Sequence, residues 1–202
     1  MRIAGIRRST AACLTVLVVS AASAQETVRV RGSIERVDGS VYVVRSRDGS
    51  QLNLTLAANA AVAASVKSGL SDIKPGSYIG VAALPLPDGN QRALEVHIFD
   101  ESMRGTAEGH RPWDLQPNST MTNATVEQIA DTTDGHSVTL RYKDGEKKII
   151  IPLGTVIVTY LPGSVSELKP GATIFVPAAA KQPGGTLQAQ RVMVGRDVSP
   201  PQ

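Results

Sequence analysis

Three histidines, three methionines beyond Met1 and a single tryptophan are the side chains in this chain best suited to bind something other than water. Met103, His110, Trp113 and Met121 fall within residues 100–123, and His97 lies just before them. Thioether sulfur and imidazole nitrogen together suit copper, Cu(I) above all, where no cysteine competes for it. His97, Met103, His110 and Met121 are therefore the candidate metal ligands. Their spacing fits no compact metal motif, so only the fold can bring them together. Ordinary packing accounts for the same residues, with Met103 and Met121 as core plugs and His110, beside Arg111, bonded to the backbone. Trp113, His110 and Arg111 are the candidate partner-binding residues. His97 alternates with Val96 and Ile98, which puts it on the opposite strand face, beside Glu95 and Phe99.

Catalytic patterns are absent. The chain has no Gly-x-Ser-x-Gly elbow, no His-Glu-x-x-His pair, no phosphate loop and no cysteine beyond Cys13. A non-enzymatic role is expected, with no resident cofactor and copper as the alternative.

The elements that must position these residues are written twice. Asp72-Ile73-Lys74-Pro75-Gly76 returns as Glu167-Leu168-Lys169-Pro170-Gly171, a shift of 169 − 74 = 95. Arg47-Asp48-Gly49 answers Lys143-Asp144-Gly145, and Ala93 to Ile98 answers Ala189 to Val194, at a shift of 96. His97 thereby corresponds to Met193. The flanking residues alternate apolar and polar with period two, the pattern of half-buried strands. Asp38-Gly39 and Asp48-Gly49 read as hairpin turns. Lys-Pro-Gly suits a type II turn, since proline presets the first central φ and glycine accepts the positive second one. Each copy is then strand, strand, strand, helix or loop, strand, strand. The alanine-rich stretch 57–67 is the helix or loop of the first copy, and in the second Gly154, Pro162 and Gly163 favour a loop. Pro152 marks an edge or a bulge, and 130–135 reads as a longer first hairpin.

That order is the order of the OB-fold, a small partly open barrel. The expected fold is all-β: two tandem OB-like five-stranded barrels, 25–99 and 124–197, joined by a long irregular connecting segment, 100–123, with a tail at 198–202. A purely flexible linker is poor in large apolar groups, so Trp113, Leu115 and the two methionines make 100–123 a belt packed across both barrels. In Glu35-Arg36-Val37-Asp38-Gly39, the Lys-Pro-Gly turns and the last strand reached through Gly89 and Ala93, the chain resembles a family of short secreted bacterial domains of unknown function. The resemblance implies the fold and carries no activity.

Arg2, Arg7 and Arg8, the apolar run Ala11 to Val19 and Ala22-Ser23-Ala24 read as a secretory signal cut before Gln25, hence a periplasmic protein. Cys13 precedes the end of the apolar run and leaves with the leader, so no lipid anchor is expected. Without the leader, 21 − 3 = 18 basic residues face 18 acidic ones. That balance argues against nucleic-acid binding, which rests on a basic surface. No apolar run after the leader reaches the roughly 20 residues of a membrane helix. The expected role is an exported binding module for an envelope protein, a glycan or a small ligand, with its site in the groove between the repeats under the belt. The alternative is a copper-handling accessory protein.

Overall fold

The computed structural model describes residues 26–200. The leader, Cys13 and the cut before Gln25 lie outside the described residues. The described chain is all-β, with 12 strands and three short 3-10 turns. No helix among the described residues is long and apolar enough to cross a membrane.

The strands are β1 (Thr27–Asp38), β2 (Val41–Ser46), β3 (Gln51–Lys67), β4 (Tyr78–Pro85), β5 (Gln91–Ile98), β6 (Gly109–Pro112), β7 (Thr120–Thr132), β8 (Gly135–Tyr142), β9 (Gly145–Pro152), β10 (Val156–Pro162), β11 (Thr173–Lys181) and β12 (Leu187–Gly195). The first three form an antiparallel meander, and β12 then pairs with β3 while β11 pairs with β1. This closes a five-stranded barrel. The remaining strands repeat the arrangement: β7, β8 and β9 form a meander, β4 pairs with β7, and β5 pairs with β9 at Gln91↔Ile149 and Arg92↔Ile150.

The expectation that each repeat closes its own barrel is thereby corrected. Each ring takes three strands from one repeat and two from the other, and all the strands belong to one continuous sheet. The cores show the exchange directly. Val30, Ile34, Val44 and Leu54 pack with Ile174, Val176, Val192 and Val194, whereas Ile79, Val81 and Val96 pack with Val126, Leu140, Ile149 and Ile151. The physical reason lies in β3. Residues 57–67, expected as helix or loop, continue the strand, so the chain is carried out of its own ring before it can turn back. Pairing on both sides overrides the helix preference of alanine: Ala61 to Ser65 face Arg191 to Gly195 on one edge and Ala63 to Lys67 face β10 on the other.

The second repeat makes the same excursion as β9 and β10, with a break after Pro152, which ends β9. The expected loop near Pro162 is therefore strand up to that residue. Its first hairpin is tight too, since β7 runs to Thr132 and β8 starts at Gly135.

The repeat survives as a pseudo-twofold axis. At a shift of 95, Ser65 corresponds to Tyr160, and these two residues face each other where β3 and β10 pair. The hydrogen bonds beside them exchange under the same shift: Ser68 N–H donates to Ile157 O at 2.8 Å, and Gly163 N–H donates to Val62 O at 3.0 Å. The Lys-Pro-Gly turns also occupy equivalent places, each on the other repeat's first strand. Gly76 N–H donates to Val126 O at 2.7 Å and Gly171 N–H to Ile34 O at 2.8 Å. Both glycines have φ of +86°, the left-handed value that a type II turn requires.

Candidate functional site

A bulge decides which side chains leave the cores. On β12 the register slips between Ala189 and Arg191, so Ala189, Val192 and Val194 point inward while Gln190 and Arg191 are exposed. On β5 the slip lies between Glu95 and Ala93, and Ala93, Val96 and Ile98 face the core. Simple alternation through Leu94 and Gln190 predicts both inward, and the extra residue of a bulge breaks that count. Past the bulges, His97 and Met193 turn out of their respective rings toward the seam where the axis runs.

There the two rings, β10 and the connecting segment enclose a pocket of about 490 Å³. Met193 and Phe175 come from the first ring, His97, Met121 and Asn123 from the second, and Tyr160 from β10. Gly80 pairs with His97 on one side and Asn123 on the other. A Cβ there would stand 2.7 Å from Asn123 Oδ1 and 3.0 Å from Phe99, so the missing side chain is what lets both residues lie at the pocket floor.

The connecting segment is more ordered than an irregular linker. After a 3-10 turn at Glu101–Met103, β6 pairs antiparallel with β7, opposing His110 to Thr122 and Arg111 to Met121. Alternation along β6 separates the candidates. Arg111 lines the pocket together with Met103 and Trp113, whereas His110 faces Thr122, its Nδ1 lying 2.8 Å from Thr122 Oγ1. Burial, aided by the charges of Lys147 and Arg111, holds the His110 pKa below its ordinary value. His110 is therefore not part of the group that His97, Met103 and Met121 form, and Met193 takes its place.

Trp113 is half-buried and packs on the cluster of Tyr160, Phe175 and Met193, so the segment does cross from the second ring to the first. What fastens it was not anticipated. Arg31 of β1 is buried, and its guanidinium makes two bonds to Asp114, at 2.8 and 3.1 Å. The same group lies 5.4 Å from the Trp113 ring centre and 4.8 Å from that of Phe175. Arg29 stacks on Trp113 at 4.3 Å. Burial raises the Asp114 pKa, but the hydrogen bond from Arg31 and the charges of Arg31 and Arg29 outweigh it and hold the carboxyl below its usual value. The alternation of Arg29 and Arg31 with Val28 and Val30 was the available signal, since it puts two cations on one outward strand face.

Inside the seam, His97 and Glu95 form a buried pair, with Nε2 2.7 Å from Oε1. The Tyr160 ring stands edge-on to His97 at 6.2 Å and lies 5.6 Å from Phe99. Burial, with the charge of Glu95 added, raises the Tyr160 phenol well above its usual pKa. Among the described residues no three of His, Cys, Asp and Glu converge as a metal site; the soft donors at the pocket are thioethers with one imidazole. No protein-family model, no curated protein and no solved structure matches the chain.

Proposed function

We propose that the protein is a non-enzymatic binding module whose site is the pocket at the seam. One observation carries this reading: both phenylalanines of the chain, its single tryptophan and all three methionines beyond Met1 line that one pocket. The ring cores are built of small and branched aliphatic residues, with Tyr42 in one and Tyr142 packed against the other, so most of the large, polarisable side chains gather at the pocket. A largely apolar concavity of this volume with a few polar groups is the usual form of a small-ligand site. Thioethers add surfaces that adapt to shape. Export to the periplasm, and the two-barrel OB-like description in which each ring stands for one barrel, belong to the same proposal.

The test is native mass spectrometry of protein isolated from its own host. A retained small molecule is expected in the wild type. It should be absent from the double variant Ala61→Phe/Ala178→Phe, since both alanines are exposed at the pocket wall. Retention in that variant places the ligand elsewhere and overturns the reading.

A second reading, Cu(I) handling, is favoured by the joining of Met193 to His97, Met103 and Met121 at one pocket. Glu95 on His97 Nε2 resembles the carboxylate that commonly orients a ligating imidazole and leaves the other ring nitrogen for a metal. Melting with and without Cu(I) under reducing conditions separates the readings, because a ligand stabilises only the state that binds it. A copper-dependent rise should vanish in Met103→Ala and Met193→Ala and persist in His110→Ala. No rise in the wild type ends this reading.

A further inference from the structure

The charged groups at the pocket all have one sign. Arg111 and Arg191 line it, and no aspartate or glutamate does. Neither arginine has a carboxylate within ion-pair distance among the described residues. Arg111 is half-buried; among the described residues its guanidinium makes one hydrogen bond, from Nη1 to Ala107 O at 2.8 Å, and lies 5.7 Å from the Trp113 ring centre. Of the acids in the same segment, Asp114 is already held by Arg29 and Arg31, and Glu108 accepts from Lys143 N–H at 2.9 Å outside the pocket lining. Glu95 is held by His97, likewise outside the pocket lining. A partly desolvated guanidinium without an acid is costly to keep unless an anion arrives. Burial, followed by the charge of Arg29, accordingly lowers the Arg111 pKa. Arg191 reaches the pocket because it follows the bulge of β12, a position that simple alternation would not expose alongside Gln190.

Beyond the cations the lining is mostly apolar and rich in rings, with Asn59, Thr106, Asn123 and Gln190 among its neutral polar side chains. The Phe99 and Tyr160 rings lie 5.6 Å apart, with Phe175, Met193 and Trp113 closing around them. We propose that the pocket binds a small amphipathic organic anion, with its planar apolar body among Phe99, Phe175, Met193 and Trp113 and its acid group on Arg111 and Arg191. Guanidinium presents its donors as a fork that matches carboxylate, sulfonate and phosphate oxygens, so the shared chemistry is an oxyanion on a flat hydrocarbon. This inference rests on the pocket being the binding site.

Two probes of nearly the same shape test it: 1-anilinonaphthalene-8-sulfonate and its neutral counterpart N-phenyl-1-naphthylamine. Trp113 is the single tryptophan, so energy transfer from it reports bound probe, and loss of that signal in Ala61→Phe/Ala178→Phe assigns the probe to this pocket. The sulfonate should bind one to one and more tightly than the neutral probe. Arg111→Gln should weaken the sulfonate about tenfold, the usual weight of a charge-assisted hydrogen bond, and change the neutral probe less than about twofold. Arg111→Lys should restore part of the preference. If Arg111→Gln does not fold, Arg191→Gln, at an exposed position, should reduce the sulfonate preference alone. Equal binding of both probes, or equal loss of both in Arg111→Gln, overturns the anion inference and leaves the pocket as a site. Binding of neither probe, or binding of both that survives Ala61→Phe/Ala178→Phe, overturns the inference together with the reading of the pocket.

Discussion

Arg31 holds three groups at once, Asp114, Trp113 and Phe175, and is itself buried. Removing one partner of a buried charge pair strands the other and deletes packing. Arg31→Ala should therefore destabilise by about 2 kcal/mol in urea denaturation, less than for a fully buried pair because Asp114 is half-exposed. Arg29→Ala, which removes a more exposed partner of the same carboxylate, should cost under about 1 kcal/mol. Trp113→Ala should cost about 2 kcal/mol, roughly half the value for a fully buried tryptophan, because Trp113 is only half-buried. His110 sets an acid limit on this region. Its folded pKa is depressed, so the folded state favours the neutral ring. Its contribution to stability is complete above the unfolded value of about 6.5 and is lost as pH falls through the lower folded value. Melting of the wild type should decline from about pH 6.5 downward, and His110→Asn should flatten that part of the curve. An unchanged curve would mean that His110 stays solvated.

Among the elements, turn chemistry was readable from residue types, because proline and glycine state their dihedral angles locally. Gly76 and Gly171 share φ of +86°, and a Cβ on either would meet no other atom. Alanine at either position should therefore cost only the backbone penalty of about 1–2 kcal/mol, and the two costs should agree within about 0.5 kcal/mol. Chemical denaturation of Gly76→Ala and Gly171→Ala checks both statements. Two kinds of element were not readable. A β-bulge is visible only once the partner strand is known, so the alternation through Leu94 and Gln190 misled by one position. The extension of β3 through 57–67 depends on strands more than 90 residues away, and the local signal there, alanine, favours a helix. For the site, alternation placed His97 correctly, but the sequence did not show that 109–112 is a strand, so the alternation that parts His110 from Arg111 could not be applied there. Arg111 and His110 are neighbours in sequence, and only the pairing with β7 shows that they face opposite sides.

At the scale of the whole molecule, the exchange of strands makes the halves mutually dependent. A fragment ending near residue 104 keeps β1, β2 and β3 but lacks β11 and β12, which close its ring. It should not fold as a compact monomer, whereas the two fragments produced by a cut in the exposed 104–106 stretch should form a one-to-one complex when refolded together. Size-exclusion chromatography with circular dichroism distinguishes this from two independently folded barrels, which would each be folded alone. The intact chain should also unfold in one calorimetric transition, with van't Hoff and calorimetric enthalpies in agreement. At the axis itself, Ser65 faces Tyr160. In an assembly of two identical chains every residue on a twofold axis meets its own copy: two tyrosines would compete for one space, and two serines would leave it unfilled. Carrying both halves on one polypeptide releases the axis from that identity, so one large ring and one small hydroxyl share it. The pocket built around the axis can then be lopsided, with imidazole on one side and thioether on the other, and can hold a molecule that has no symmetry of its own.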